Sequence, residues 1–114
     1  MITVQTGDGY IIVEGHAGFA PPGKDIVCAG VTALVQTLAL ALGRSEPAED
    51  ISIDLTPGRA VFEYDRLTDA GKINAGSFLI GMNWLAETYP DYVQVGPEAA
   101  APDGKNGGGG KGEA

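Results

Sequence analysis

Gly15-His16-Ala17-Gly18-Phe19, followed by Gly23-Lys24-Asp25-Ile26-Val27-Cys28-Ala29, marks the change from strand to helix and carries the chain's single histidine and single cysteine. Upstream, Ile2-Thr3-Val4-Gln5 alternates apolar with polar residues and Gly7-Asp8-Gly9 supplies a turn. Tyr10-Ile11-Ile12-Val13-Glu14 then returns, the pattern of a β-hairpin whose second strand ends near Gly15-His16. Gly18, Pro21, Pro22 and Gly23 exclude regular structure from the connection. Asp25 has the place and chemistry of an N-cap, its carboxylate able to accept from backbone N–H groups of the first turn, with Ile26, Val27 and Cys28 at the first helical positions.

Downstream, the helix is expected to run to Leu42, with Gly43 as its stop. It is apolar almost all round, interrupted by Thr32, Gln36 and Thr37, as helices buried in a core or at a subunit interface are. A bilayer span takes about 20 apolar residues; this run is shorter and carries polar positions, so it reads as buried, with no membrane partner. Ile51-Ser52-Ile53-Asp54-Leu55 alternates as a third strand, Pro57-Gly58 makes a turn, and Arg59-Ala60-Val61-Phe62-Glu63-Tyr64 is the fourth. A second helix is predicted from Asp69 to Thr88, with Ile73, Phe78, Leu79, Met82, Trp84, Leu85 and Tyr89 giving a broad apolar face before Pro90. Tyr92-Val93-Gln94-Val95 is a short last strand. The order ββαββαβ predicts an α+β fold with two helices packed on one mixed sheet. Residues 1–95 form a single domain, and the Gly-rich stretch 96–114 reads as a disordered tail.

The chain has 114 residues, enough for one modest core, and a formal charge of 7 − 15 = −8. It has no cluster of Lys and Arg, so nucleic acid is not an expected direct partner. An acidic surface suits a basic polypeptide instead. A single cysteine excludes an intramolecular disulfide framework and fits a reducing, cytoplasmic compartment. The first residues lack the pattern of a secretory signal.

A thiol becomes a good nucleophile when a base and an anion-favouring site adjoin it. Cys28, near a helix N-terminus, has the dipole and amides for that; its ordinary alternative is a small buried hydrophobe. His16 stands at a strand end between small residues, where it can serve as base or simply be a surface residue. If the two meet in space, the economical reading is a cysteine protease. Asp25 can cap the helix or orient the imidazole, uses that compete for the same oxygens. Thr32 lies one turn after Cys28, where its hydroxyl can reach the site or back-bond to the Cys28 carbonyl. Glu46, Glu49 and Asp50 read as a solvated connection, and Glu14 and Glu63 as outward-facing strand residues. One His and one Cys fall short of a zinc site, and Gly110-Lys111-Gly112 lacks the context of a phosphate loop, so no metal or cofactor is expected.

Gly15-His16-Ala17, a Gly-rich loop and Asp25-Ile26-Val27-Cys28-Ala29 together resemble the ribosomal-processing cysteine protease family, Prp. The likeness extends through the helix that follows and through Leu85-Ala86-Glu87-Thr88-Tyr89-Pro90-Asp91-Tyr92-Val93, leaving out the tail. It implies a compact α+β homodimer with a His/Cys catalytic pair. The implied activity is removal of a short N-terminal extension from ribosomal large-subunit protein twenty-seven. Carried over, Cys28 is the nucleophile, His16 the base and Asp25 a supporting residue. Thr32 keeps a hydroxyl where the family commonly has Ser, and residues 17–24, with Gly18, Phe19, Pro22 and Gly23, form a substrate loop. The mechanism implied is acyl transfer: attack by the thiolate, an oxyanion held by helix amides, release of the amine by protonated His16, and hydrolysis of the thioester. Three rivals use the same residues: a related protease acting on phage capsid precursors, a non-catalytic dimeric module that binds a ribosomal protein, and a structural protein in which His16 and Cys28 are only packed.

Overall fold

The computed structural model describes residues 1–21 and 24–96. β1 (Ile2–Gly7) and β2 (Tyr10–Gly15) form the first hairpin, and β3 (Ile51–Thr56) and β4 (Arg59–Tyr64) the second. β4 pairs antiparallel with β2, from Tyr10 opposite Glu63 to Glu14 opposite Arg59. β5 (Val93–Val95) runs parallel to β1, with Ile2 opposite Val93. The result is a mixed five-stranded sheet of order β3-β4-β2-β1-β5. The strands' alternation puts Ile2, Val4, Ile11, Val13, Ala60 and Phe62 into one core with the two helices, α1 (Ile26–Ser45) and α2 (Asp69–Thr88). Thr3, Gln5, Glu14, Ser52, Asp54 and Glu63 occupy the alternate positions and stay partly or fully exposed. The α+β architecture and element order are as the sequence predicts.

The helices are antiparallel, with Gly30 facing Leu85 and Gly81 facing Leu34. A β-carbon on Gly81 would lie 3.0 Å from the Leu34 side chain, so this glycine lets α1 and α2 approach closely. α1 buries Val27, Val31, Val35, Leu38 and Leu42, the four-and-three spacing of one helical face. It is 20 residues long and apolar enough by composition to cross a bilayer. The argument from a short run therefore fails, and the packing of that face into the core is what identifies α1 as a core helix.

Three expectations are corrected. α1 does not stop at Gly43 but continues to Ser45, where the Glu46 N–H donates to the Leu42 carbonyl at 3.0 Å. Glu46 is not part of a solvated connection: it is 6 % exposed, unlike Glu49 and Asp50. Its carboxylate accepts from the Thr68 N–H (2.9 Å), the Thr68 hydroxyl (2.6 Å) and the Ser45 hydroxyl (2.7 Å). That anchor gives α1 a firmer end than a glycine does. The apolar face of α2 is also narrower than expected. Ala75, Phe78, Met82 and Leu85 are buried, whereas Ile73 and Trp84 are 69 % and 59 % exposed. Each lies two residues from a buried position, about 200° round the helix.

The expected tail from Gly96 lies outside the described residues except for Gly96 itself, which is buried and donates its N–H to the Val4 carbonyl at 3.0 Å.

Candidate active site

One end of the sheet gathers the end of β2, the β3–β4 turn, the start of α1 and the end of α2. The Gly15 N–H donates to the Gly58 carbonyl at 2.9 Å, and the Ile2 N–H to the Tyr92 carbonyl at 2.8 Å. These bonds join the end of β2 to the β3–β4 turn, and the start of β1 to the segment after α2.

Asp25 organises that loop. Its backbone is extended (φ −85°, ψ 98°), as an N-cap requires, and Oδ1 accepts the Cys28 N–H at 2.9 Å. Oδ2 accepts from the Phe19 N–H at 3.0 Å and from the Ala20 N–H at 3.5 Å. The Cys28 N–H chiefly, with those of Phe19, Ala20 and Val27, holds the Asp25 carboxyl below the usual carboxylate range, against an opposing effect of burial. Both oxygens are thus engaged by backbone. Of the two competing uses for Asp25, the structure displays the cap.

Cys28 is half-buried in the first turn of α1, packed against the core, and its sulfur accepts the Ala17 N–H at 3.4 Å. Ala17 directly follows His16 and is itself buried. The sulfur therefore lies beside the backbone of the residue next to the histidine. His16 is exposed, and its carbonyl accepts from the Met1 amine at 2.6 Å. Its imidazole lies over Gly58: a β-carbon there would come within 2.8 Å of Nε2. Gly58 also has φ +76°, so the turn itself favours glycine, and a side chain there would displace the ring above it. Arg59 adds a 2.7 Å ion pair to Glu14 across the β2–β4 pair, between half-exposed side chains and hence worth at most about 1 kcal/mol.

Gly18, at φ +70°, turns the chain toward Phe19. The Phe19 ring packs edge-on against Tyr89 and Tyr92, with centroids 5.7 and 5.2 Å away. Pro22 and Gly23 lie outside the described residues. Thr32 is exposed and makes no side-chain hydrogen bond among the described residues; Thr37 is the threonine that back-bonds, to the Ala33 carbonyl at 2.7 Å.

Sequence reasoning missed Gly58, Tyr89 and Tyr92. Pro57-Gly58 carries the signal of a turn, yet its place under His16 depends on β2 pairing with β4, strands far apart in the chain. The Cys28 N–H is bonded to Asp25 and the Ala29 N–H to the Asp25 carbonyl at 3.0 Å, which leaves the Ala17 N–H as the amide directed at the sulfur.

A sequence profile of the family described as Cysteine protease Prp matches residues 2–94 of this arrangement. The chain belongs to that family. Prp relatives of established name agree. The Ribosomal processing cysteine protease Prp of Bacillus subtilis (strain 168) is 38 % identical over 91 residues, covering 73 % of this chain and 80 % of that one. The Mycoplasma genitalium protein of the same name is 24 % identical over 99 residues, covering 87 % of this chain and 98 % of that one. Among solved structures, the ribosomal processing protease Prp from S. aureus, crystallised with a covalently linked product peptide, matches with a TM-score of 0.74 and 25 % identity. The match spans 83 % of this chain and 97 % of the other. Membership in the Prp family makes this chain a member of a ribosomal-processing family of cysteine peptidases.

Proposed function

We propose that the chain is a cysteine endopeptidase that removes the N-terminal extension of ribosomal large-subunit protein twenty-seven, with Cys28 as nucleophile and His16 as base. The observation that carries this reading is the seat of the Cys28 sulfur: at the positive end of α1, on the Ala17 amide, one residue from His16. His16 takes the thiol proton, and the sulfur attacks the scissile carbonyl carbon. The carbonyl π electrons move to oxygen, and the positive end of α1 supports the charge. Collapse expels the amine, which His16 protonates. A thioester remains, and water hydrolyses it to free acid and thiol. Asp25 supports the site through the loop it caps, and residues 17–24 border the substrate. The acidic charge suits a basic ribosomal protein, and the reaction belongs in the cytoplasm, where such precursors are made.

We further propose that the chain works as a homodimer. Leu40 on α1 and Ile73, Ile80 and Trp84 on α2 are 59 to 73 % exposed, an apolar surface that a second copy would cover. Trp84→Glu gives a monomer in sedimentation if so, and an unchanged dimer refutes this use of the surface.

The test of the activity is incubation of wild type and Cys28→Ala with the precursor, read by mass spectrometry. A single cut near the N-terminus by wild type alone is the expected result. Cleavage by Cys28→Ala would overturn the assignment.

A further inference from the structure

We propose that Phe19 is a positioning residue, lodged edge-on against Tyr89 and Tyr92 so that the Ala17 N–H stays on the Cys28 sulfur. This rests on the reading of Cys28 as nucleophile, and adds what holds its amide partner in place. Two kinds of anchor fix the segment after His16. The polar one is local: Asp25 Oδ2 takes the N–H groups of Phe19 and Ala20, at a half-exposed site where water competes. The aromatic one is long-range, because Tyr89 caps the end of α2 and Tyr92 leads into β5. Edge-to-face contact places the positive rim of one ring against the negative face of another, a directional preference that simple apolar contact lacks. Between the Phe19 anchor and the sulfur stand only Gly18 and Ala17. Gly18, in the left-handed region, has the freedom to let Ala17 swing away once the ring is released. Ala17 is 4 % exposed, so its amide is shielded from water while the segment is seated.

Phe19 itself is 39 % exposed, and its removal opens little of the core. The variants are therefore Phe19→Ala, Phe19→Leu and Phe19→Trp, and the first readout is hydrogen exchange of the Ala17 amide without substrate. Phe19→Ala is expected to speed that exchange about tenfold, the scale of losing two edge-to-face pairs. Melting temperature falls by only several degrees, because the same contacts are missing from the unfolded chain. In parallel, kcat for precursor cleavage falls with KM little changed, and Phe19→Trp, which keeps an aromatic edge, restores both readouts. If Phe19→Ala does not fold, Phe19→Leu is read in its place. Wild-type exchange in the ring-less variant overturns the proposal, as does failure of Phe19→Trp to rescue. Faster exchange in a protein whose wild type cleaves no precursor keeps the anchor and removes the protease reading. Unchanged exchange with normal wild-type cleavage does the reverse.

Discussion

Asp25 and Glu46 stand at opposite ends of α1, and each spends its oxygens on donors from the surrounding chain. The donors differ in range. Asp25 takes backbone N–H groups from residues 19, 20 and 28, all within six positions, and so orders its own loop without binding distant elements together. Glu46 takes both donors of Thr68, 22 positions away, and Thr68 in turn caps α2 by accepting the Gly71 N–H at 3.1 Å. Thus the first carboxylate shapes the loop of the proposed site, while the second ties the end of one helix to the start of the other. A local network leaves a loop adjustable; a long-range buried one makes its members part of the cooperative fold.

That division predicts separable losses. The largest is at Gly58, where Gly58→Ala meets both the left-handed backbone and the His16 ring. The backbone term costs about 1–3 kcal/mol of stability, and cleavage should fall further than that unfolding explains, as steady-state kinetics beside denaturant melts will read. A stability loss with normal kcat would make Gly58 a turn residue only. Next, Glu46→Ala lowers Tm by several degrees, since it strands the Thr68 N–H and the Ser45 and Thr68 hydroxyls. The folded fraction should keep wild-type kcat; impaired kcat would break the contrast between the two ends.

A subtler test is acid. The Thr68 hydroxyl first, then Ser45 and the Thr68 N–H, hold the Glu46 carboxyl below the usual range, as the Cys28 N–H does for Asp25. A lowered folded value means that the stability is complete above the ordinary carboxylate range, about pH 4–4.5, and is lost as pH falls through the depressed values. Glu46→Gln should flatten the acid limb of Tm against pH more than Asp25→Asn does, given the deeper burial of Glu46. Smallest of all is Thr32→Ala, at an exposed site, expected to shift stability by no more than about 0.5 kcal/mol and to leave kcat within error.

Much of this was legible in the sequence. Both hairpins, both helices and the Asp25 cap rest on local patterns: alternation, turn glycines, and a capping residue ahead of an apolar run. What was not legible is what depends on distant partners. Glu46 looks like any acidic linker residue until Thr68 folds over it. His16 has no visible support until β4 brings Gly58 beneath it. Ile73 and Trp84 count as apolar, yet the helix turns them away from the sheet. The pairing of His16 with Cys28 was a spacing argument; what the structure displays is the Ala17 amide, next to His16 in the chain, on the Cys28 sulfur.

The parallel pairing of β5 with β1 has a consequence for the birth of the molecule. β2 covers one edge of β1 early, but the other edge finds its partner only in β5, with Ile2 opposite Val93, so that side of the first strand waits for the last. Tyr89 and Tyr92, against which the loop ring rests, arrive with that same final segment. A chain still being synthesised therefore lacks both the closing strand and the seat for its loop, and the cutting machinery is finished only when translation of the domain is.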